Sequence, residues 1–370
     1  MDFTFTEEQQ AAREIARTVF SDVAPDSVPS PQHPPVPGGP VAEDFDRPLW
    51  QRLATTGVLG LPVPESYGGA GLDALTLCLA LREAGGGPAR VPLLETGAAA
   101  LTLATYADER LGAALLPRIA DGTLAVTAAA HGSTGHEAPE RAVEARRSGD
   151  SWVLDGIQTA VPWAPVCDLV AVPAHTPGDG PVLAFVAPSG PGVTLAEQVS
   201  TNGERYAALR LGSAAVPAGD VLDHPEAAGL LQRLLATGTC ALALGLGTRV
   251  LEMTSRYVSE REQFGHPLAT FQAVAVQAAD RYVDLRAMEA TLWQAAWRLA
   301  PADIAVAKIW ASEGVRRVAQ TAQHLHGGAG ADTDYALHRY HAWAKQLELA
   351  VGPPSAYEEA LGDLLAAQLG

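Results

Sequence analysis

The stretch REQFGHPLATFQ, residues 261–272, separates two long segments with helical periodicity. It combines an arginine, an aromatic residue followed by glycine, a proline and two glutamines. Arginine supplies a permanently charged planar fork that suits phosphate oxygens, while an aromatic ring and amides supply an apolar wall and hydrogen bonds. The stretch is therefore either an ordinary helix–helix corner with an exposed arginine, or a corner that binds a phosphate-bearing ligand.

Helical periodicity extends from this corner in both directions. It predicts four packed helices and a short fifth, over 227–260, 272–299, 302–326, 335–350 and 354–368. Gly238, Gly245 and Gly247 fall in the first of them, where small residues are typical of close helix packing. The C-terminal region, 226–370, is thus predicted to be a helical bundle.

The region 124–225 has the texture of a β-domain. Two extended runs flank Ser148-Gly149-Asp150, which indicates a hairpin. Four more short runs follow, separated by Gly, Pro and Asp: DLVAVPAH, PVLAFVAP, GVTLAEQ and YAALRLGSAAV. The pattern predicts an antiparallel domain, as a barrel or a sandwich, of about 100 residues.

The region 1–123 is predicted to be an N-terminal helical domain. Thr6 is a plausible N-cap for the first helix, with Glu8 in its first turn. The proline-rich segment 27–40 cannot be helical, so it is predicted to be a long flexible surface loop. Helical pattern resumes after it and breaks once, at PESYGGAGL.

Composition limits the class of protein. Of the 370 residues, 48% are hydrophobic and 18% charged, which indicates a soluble globular chain. The net charge of −17 argues against nucleic acid or an anionic membrane as a partner. The three cysteines lie far apart, so neither a zinc site nor a disulfide framework is expected. The first residues lack the basic-then-apolar order of a signal peptide, and the apolar run 234–248 is too short to span a bilayer. A cytoplasmic location is expected.

Four spaced motifs in one order cover nearly the whole chain: LGLPVPESYGGAGL at 59–72, LPRIADG at 116–122, REQFGHPLATFQ at 261–272, and QHLHGGAGADTDYALHRYHAWAKQLE at 323–348. Together they resemble the acyl-CoA dehydrogenase family, flavoproteins that remove hydrogens from the α and β carbons of an acyl-CoA thioester. The resemblance implies the family fold: an N-terminal helical domain, a middle β-domain and a C-terminal four-helix bundle.

The resemblance also implies an FAD site. In the family the corner at 261–272 and a glycine strip, here residues 327–330, contact the FAD of a neighbouring subunit. An oligomer is therefore expected. His324 replaces a family glutamine and still offers a hydrogen bond. Gly265 is predicted to allow a turn that side chains would crowd, and the glycines of the strip to let backbone N–H groups approach a ligand. The implied contacts are Arg261, Gln263, Phe264, Leu268, Gln272, His324, Gly327, Gly328 and Gly330.

Two other interpretations of the glycine strip are weaker. His324, His326, His338 and His341 fall close together, but no acidic or cysteine residue completes a metal site, so none is expected. The G-x-G pattern is not a dinucleotide fingerprint, because no strand is predicted before it.

The base that the family uses to remove the α-proton is missing at both of its usual positions. One position corresponds to Val351 and the other to Leu235, and neither side chain can take a proton. Glu348, one helical turn before Val351, is the substitute that a self-sufficient enzyme would need, although an exposed helical glutamate is commonplace.

The middle domain departs from the family as well. TAAAHGSTGHEAP at 127–139 replaces the family T-E-P-x-A-G-S-D, and QTAVPWA at 158–164 replaces the W-I-T that flanks the flavin. Ser133, Thr134 and Trp163 are the residues left to contribute there. The surface offered to the chain's own flavin is thus eroded, while the surface offered to a neighbour's flavin is kept.

This asymmetry resembles the base-lacking subunits of actinobacterial α2β2 acyl-CoA dehydrogenases, which often act on CoA thioesters of steroid side chains. The first hypothesis is therefore a subunit that works with a base-bearing partner. The second is a homotetrameric flavoenzyme that uses Glu348, and the third is a flavin-free scaffold. The resemblance further implies an electron-transfer flavoprotein as the electron acceptor.

Overall fold

The computed structural model of the chain describes residues 4–24, 27–134, 138–178 and 180–369. By packing, the chain forms two compact units. The first contains Met1–Pro34, Cys78–Ala89 and Ala236–Gly370, and the second contains Pro35–Leu77 and Arg90–Leu235. The boundaries of the three sequence domains, 1–123, 124–225 and 226–370, stay a prediction.

The N-terminal region is helical, as its periodicity predicts. Its helices are α1 Glu7–Ser21, α2 Arg47–Thr55, α3 Ala74–Gly86, α4 Leu93–Tyr106 and α5 Glu109–Ala120. The N-cap prediction is confirmed, because the Thr6 hydroxyl accepts a hydrogen bond from the backbone N–H of Gln9. The Gln9 side chain answers by accepting from the Thr6 N–H at 3.0 Å, which completes a capping box.

The middle region is a β-sandwich. Its strands are β1 Val126–Ala128, β2 Val143–Ser148, β3 Ser151–Pro162, β4 Leu169–Ala174, β5 Val182–Val186, β6 Val193–Val199, β7 Arg205–Pro217 and β8 Val221–Leu222. One four-stranded sheet has the order β1-β4-β5-β8 and the other β2-β3-β7-β6. The predicted hairpin is confirmed, with Ser148 paired to Ser151. The prediction of a wholly antiparallel domain is wrong, since β1 runs parallel to β4.

Both sheets contribute to one apolar core in this unit. Val143 and Leu154 of one sheet and Val172 and Ala184 of the other are fully buried in it. The pairing of β3 with β7 shifts register twice, between Leu154 and Gly156 and again between Gln158 and Val161. A bulge re-aims the side chains that follow it, and the second bulge lies in the segment that replaces the family's flavin-flanking motif.

The C-terminal region follows the predicted helices closely. It comprises α6 Ala227–Glu260, β9 Glu262–Gln263, β10 His266–Pro267, α7 Gln272–Arg298, α8 Pro301–His326, α9 Leu337–Leu349 and α10 Pro354–Leu369. The fifth helix is not short, because α10 has 16 residues where α9 has 13. The packing prediction for Gly245 is supported, since a Cβ there would lie 1.9 Å from the Arg82 carbonyl oxygen.

Helix α6 is long and apolar enough to pass a length-and-composition test for a membrane span. However, 78% of its apolar window is buried inside the protein, as in the core helix of a soluble protein. Its hydrophobic surface is therefore accounted for by packing within the chain.

Candidate functional site

The corner at 261–272 is a small hairpin rather than a simple turn. Strand β9 pairs antiparallel with β10, Gln263 opposite His266, and Phe264 and Gly265 form the two-residue turn between them. Both turn residues have left-handed backbones, with φ of 55° and 77°. This is the pattern of a type I′ turn, whose second position favours glycine. A Cβ on Gly265 would meet nothing within 4 Å, so the crowding predicted from the sequence is wrong and backbone conformation explains the glycine.

Phe264 stands out from the surface at the tip of this hairpin. Its side chain is 89% exposed, and its ring lies edge-on to Phe271 at a centroid distance of 6.2 Å. A left-handed backbone at a bulky residue costs roughly 1–3 kcal/mol, and such strain clusters at ligand-binding sites. The hairpin therefore presents an aromatic ring outward at an energetic cost.

Arg261 lies at the base of the hairpin with its backbone fixed. Its N–H donates to the Tyr257 carbonyl at 2.8 Å, and its own carbonyl accepts from the Leu268 N–H at 2.8 Å. Within the described residues, its exposed guanidinium makes no hydrogen bond or ion pair. A held backbone with a free guanidinium suits an anionic ligand from outside the chain.

The other candidate residues of the corner differ in whether their side chains already bond within the protein and in how far they are buried. The Gln263 amide donates to the Glu262 carbonyl at 2.8 Å, so part of its capacity is used locally. Gln272 lies at the first position of α7, and Leu268 is half-buried in a short 3₁₀ turn. The corner thus offers a cation, an aromatic ring and an amide on one exposed element.

The glycine strip follows directly on α8. Gly327 and Gly328 are exposed, and a Cβ on either would meet nothing within 4 Å. The Gly327 N–H closes the end of α8 by bonding to the carbonyls of Gln323 and His324, so it is not free for a ligand. Gly330 is buried, and a Cβ there would lie 2.9 Å from the Gln323 amide, which gives this glycine a packing reason.

Tyr257 joins the hairpin to the glycine strip. Its ring stacks on His326, the last residue of α8, with centroids 4.3 Å apart and planes 22° from parallel. Its hydroxyl donates to the His326 carbonyl at 3.3 Å. The Tyr257 carbonyl also accepts the hydrogen bond from the Arg261 N–H. One residue therefore contacts both the hairpin and the end of α8 from which the glycine strip follows.

The four clustered histidines do not form a metal centre in the part of the chain that the structure describes. No group of three or more His, Cys, Asp or Glu side chains there is arranged to hold an ion. His326 and His338 are engaged in hydrogen bonds with Tyr335, and His324 is exposed. Burial lowers the pKa of both His326 and His338.

The two positions at which the resemblance implies a base hold side chains that cannot ionise, and the structure constrains both. Leu235 is buried in α6. Val351 lies between α9 and α10 with φ of 59°, a strained conformation for a β-branched residue. The Tyr357 hydroxyl donates to the Val351 carbonyl at 2.8 Å, and the Lys308 ammonium donates to the Glu348 and Gly352 carbonyls at 3.2 and 3.3 Å.

Lys308 is fully buried, and burial lowers its pKa to about 8. It also donates to the Ser312 hydroxyl at 2.7 Å. These contacts fix the loop around Val351. This role of Lys308 was not predicted, because a single lysine in a helical pattern does not indicate which groups it will contact.

Glu348 is buried, so the expectation of an exposed glutamate is wrong. Only 7% of it is accessible, and its carboxylate accepts two hydrogen bonds of 3.1 Å from Lys345. The carboxylate is thus already engaged by an ammonium of the same helix.

The strip of the β-sandwich at 127–134 uses its polar groups internally. The Thr127 hydroxyl donates to the Pro162 carbonyl at 2.5 Å. The fully buried Gln158 accepts from the Gly132 N–H at 2.9 Å and donates to the Pro139 carbonyl at 2.6 Å. Gly135, His136 and Glu137, which complete the divergent motif, lie outside the described residues.

Trp163 is part of the core and not of an open surface. It is 6% exposed, has a left-handed backbone with φ of 58°, and packs edge-on against Phe45 at 6.4 Å. Ser133 and Thr134, the other residues expected to contribute, each have partners within the protein. Glu95, at the start of α4 in the same unit, is a carboxyl whose pKa burial raises to about 7.

Comparison with known proteins adds two family matches. The description "Acyl-CoA dehydrogenase, N-terminal domain" matches residues 6–123, and "Acyl-CoA dehydrogenase, C-terminal domain" matches residues 234–358. Acyl-CoA dehydrogenase FadE27 of Mycobacterium tuberculosis (strain ATCC 25618 / H37Rv) is 36% identical over 380 residues, which covers 99% of each protein.

Two solved structures share both fold and sequence with this chain. A chain of the ChsE4-ChsE5 complex from Mycobacterium tuberculosis superposes with a TM-score of 0.90 at 35% identity, covering 99% of each chain. A chain of a variant of the Tcur3481-Tcur3483 steroid ACAD gives a TM-score of 0.88 at 35% identity, covering 98% of this chain and 99% of that one. The expected order of helical, β and helical regions is therefore confirmed.

Proposed function

The chain belongs to the acyl-CoA dehydrogenase family, and we propose that it is a subunit without a catalytic base that completes the FAD site of a base-bearing partner. The assembly would oxidise the Cα–Cβ bond of an acyl-CoA thioester, with the partner's base removing the α-proton. When bound, FAD supplies the hydride acceptor for this oxidation.

The contrast between the two flavin-related surfaces carries this proposal. The outward corner keeps the exposed ring of Phe264, the open backbone at Gly328 and the guanidinium of Arg261, which has no partner among the described residues. These groups fit a dinucleotide, whose pyrophosphate needs a fixed cation and whose adenine needs an apolar wall. In the sandwich strip, by contrast, Gln158 and Thr127 bond to the protein itself.

The residues at the base positions support the same division of labour. Val351 and Leu235 cannot accept a proton, and Glu348 is paired with Lys345. In the assembly this chain would bind and orient the cofactor through Arg261 and the hairpin. The partner would hold the substrate carbonyl and the base.

An apolar face on α7 supports an obligate assembly. Val276, Val283 and Trp297 are each more than half exposed and recur at multiples of seven residues, so they lie along one side of the helix. Tyr282, which is also more than half exposed, lies to one side of this line. A helix that is apolar on its outer side as well as its inner side is normally covered by another chain. This face begins beside the hairpin, which makes a related subunit the occupant we propose.

A bulky acyl-CoA is the substrate class we propose. One similar structure is described as a steroid ACAD, and both similar structures are complexes of two differently named chains. An electron-transfer flavoprotein is the acceptor that family membership suggests. A self-sufficient homotetramer using Glu348 is the second candidate, and the pairing with Lys345 weighs against it.

The test is the flavin content of the protein purified alone and after co-expression with a base-bearing acyl-CoA dehydrogenase chain. We expect a colourless chain alone, and one FAD per pair of chains, read from the visible absorption spectrum, in the complex. One FAD per chain in the isolated protein would refute the partner-subunit proposal. No flavin in either preparation would leave a flavin-free scaffold instead.

A further inference from the structure

A series of hydrogen bonds starts at His326, the residue that precedes Gly327 of the glycine strip. The His326 Nδ1 lies 2.8 Å from the Ala322 carbonyl oxygen, and its Nε2 lies 3.2 Å from the Tyr335 hydroxyl. A carbonyl oxygen only accepts, so Nδ1 carries the proton. Burial lowers the pKa of His326 and favours the neutral ring, so Nε2 accepts from Tyr335.

The series continues through a second histidine to the proline-rich segment. The His338 Nδ1 donates to the Tyr335 carbonyl at 2.7 Å. The His338 Nε2 then accepts from the Ser30 hydroxyl, also at 2.7 Å, and Ser30 in turn accepts from the Gln32 N–H at 3.2 Å. Each hydroxyl and each ring nitrogen in this series has a role consistent with its neighbours.

A second contact joins the proline-rich segment to α9, the helix that contains His338. The Arg339 guanidinium donates to the Val28 carbonyl at 2.7 Å, and both Val28 and Ser30 are buried. The prediction of a long flexible loop over 27–40 is therefore wrong for its first residues, which are bound to α9. Proline-rich chain loses little conformational entropy when it is fixed, which suits it to this use.

We propose that Ser30, His338, Tyr335 and His326 form a buttress that positions the Gly327–Gly328 backbone and the Arg261 hairpin for the cofactor. This inference rests on the proposed function, since the cofactor is the FAD of that proposal. The four residues would act as positioning residues, because none of them is part of the exposed surface at the corner.

The strip needs such support because of its own composition. GGAGA has no side chain larger than a methyl group, and Gly327 has a left-handed backbone with φ of 60°. Glycine loses more conformational entropy on ordering than any other residue, so contacts from below must supply the order. His326 supplies it directly, because it precedes Gly327 and carries the stacked Tyr257 ring on its face.

The experiment removes one hydroxyl at a time. Tyr335→Phe breaks the link to His326, and Ser30→Ala breaks the link to His338, while both keep the shape of the site. Ser27→Ala is the matched control in the same segment, since its exposed hydroxyl donates to the nearby Ala24 carbonyl and not to the series that joins Ser30 to His326. Tyr106→Phe is the control for removing a hydroxyl from a tyrosine beside a histidine, because the Tyr106 ring lies 4.2 Å from the His224 ring in the other unit.

Two readouts separate the buttress from the proposed function. Hydrogen–deuterium exchange of the peptide spanning 326–334 is measured on the chain alone, without flavin. FAD affinity is measured on the co-expressed complex. For Tyr335→Phe we expect about tenfold faster exchange in the strip and about tenfold weaker FAD binding. For Ser30→Ala we expect a smaller effect of the same sign, and no change for either control.

Unchanged exchange in Tyr335→Phe would overturn the buttress. Faster exchange with unchanged FAD affinity would overturn its role towards the cofactor while leaving the proposed function intact. A wild-type complex without flavin would instead overturn the proposed function, and the exchange data alone would then decide whether the buttress orders the strip.

Discussion

The hairpin corner at 261–272 and the sandwich strip at 127–134 use their polar groups in opposite ways. The sequence resemblance leads us to expect that both correspond to flavin-contact motifs. At the corner the Arg261 guanidinium has no hydrogen bond or ion pair within the described part of the chain, and the Phe264 ring is exposed. In the strip Gln158 is fully buried and bonded to the chain at both ends. A ligand site therefore depends on where hydrogen-bonding groups point as much as on which residues are present.

The energetic reason is that a buried polar group must be satisfied. Leaving a buried donor or acceptor unpaired costs about 1–3 kcal/mol, so the buried polar groups of the strip are stabilised by partners within the chain. An exposed arginine has no such need, because water solvates it until a ligand arrives. The corner can therefore stay open without destabilising the isolated chain.

Arg261→Ala gives the largest expected effect, on the open side of the comparison. Removing a guanidinium that bonds phosphate should weaken FAD binding to the complex by about 100-fold, or about 3 kcal/mol. Equilibrium titration with FAD measures this. Arg256→Ala, at an exposed arginine near the end of α6, the helix that precedes Arg261, is the control and should leave the affinity unchanged. Equal losses in both variants would show a general charge effect and break the comparison.

Gln158→Leu tests the closed side. It leaves the Gly132 N–H and the Pro139 carbonyl without their partner, so we expect a loss of about 2 kcal/mol in the free energy of unfolding. Denaturant unfolding of the isolated chain measures it. Gln198→Leu, at an exposed position in the same sheet, should cost far less. Flavin content of the complex should not change in either variant, and a loss of flavin would place the strip in the site.

Glu95, in the same unit as the sandwich strip, should make the stability of the folded chain depend on pH. Burial raises its pKa from 4.5 to about 7, so the folded chain binds the proton more tightly than the unfolded chain. The stability that this provides is present below pH 4.5 and is lost as pH rises to about 7. Glu95→Gln should therefore be about 1 kcal/mol more stable than wild type at about pH 8, a figure reduced for its partial exposure, with little difference at about pH 4. An equal gain at both pH values would contradict a neutral folded-state carboxyl.

The open side should respond to pH in the opposite direction. Burial lowers the pKa of His326 and His338 from 6.5, so their neutral forms stabilise the folded state above pH 6.5 and this contribution is lost as pH falls through the lowered values. Arg339 and His33 add to the lowering at His338, and Asp332 opposes it. FAD affinity of the complex should fall by about threefold between about pH 7 and pH 5.5, and less in Tyr335→Phe, which has lost the link. A pH-independent affinity would argue against neutral histidines beneath the strip.

Glu348→Gln is expected to have the smallest effect. If the base resides in the partner, turnover of the complex should stay within about twofold of wild type, because an ion pair with a half-exposed lysine contributes only about 0–1 kcal/mol. Lys345→Gln, which removes the other half of the pair, is the matched control. Turnover abolished by Glu348→Gln and retained by Lys345→Gln would identify Glu348 as a base and make both chains catalytic.

Local features were predicted well from the sequence. The first bundle helix has the predicted bounds, Ala227–Glu260, and the Thr6 cap and the hairpin at 149–150 lie where their residues indicate. Helical periodicity, caps and tight turns depend on interactions within a few residues, so the sequence contains all of the information they need.

Features that depend on distant partners were not predictable in this way. The type I′ turn at Phe264 was missed, because phenylalanine is an unfavourable residue for a left-handed backbone. The burial of Glu348 and the parallel pairing of β1 with β4 depend on tertiary packing. Only Gly330 of the three strip glycines has a packing contact, which no local pattern distinguishes.

The sequence by itself determined the family, the order of its helical and β regions, and the absence of an ionisable side chain at Val351 and Leu235, because each is a property of residue identity and spacing. The tertiary structure alone decided which polar groups are free and which are used. The Gly132–Gln158 bond joins residues 26 apart and the Ser30–His338 bond residues 308 apart. Bonds over such separations form only when the whole chain has packed, so the open corner and the closed strip are properties of the fold.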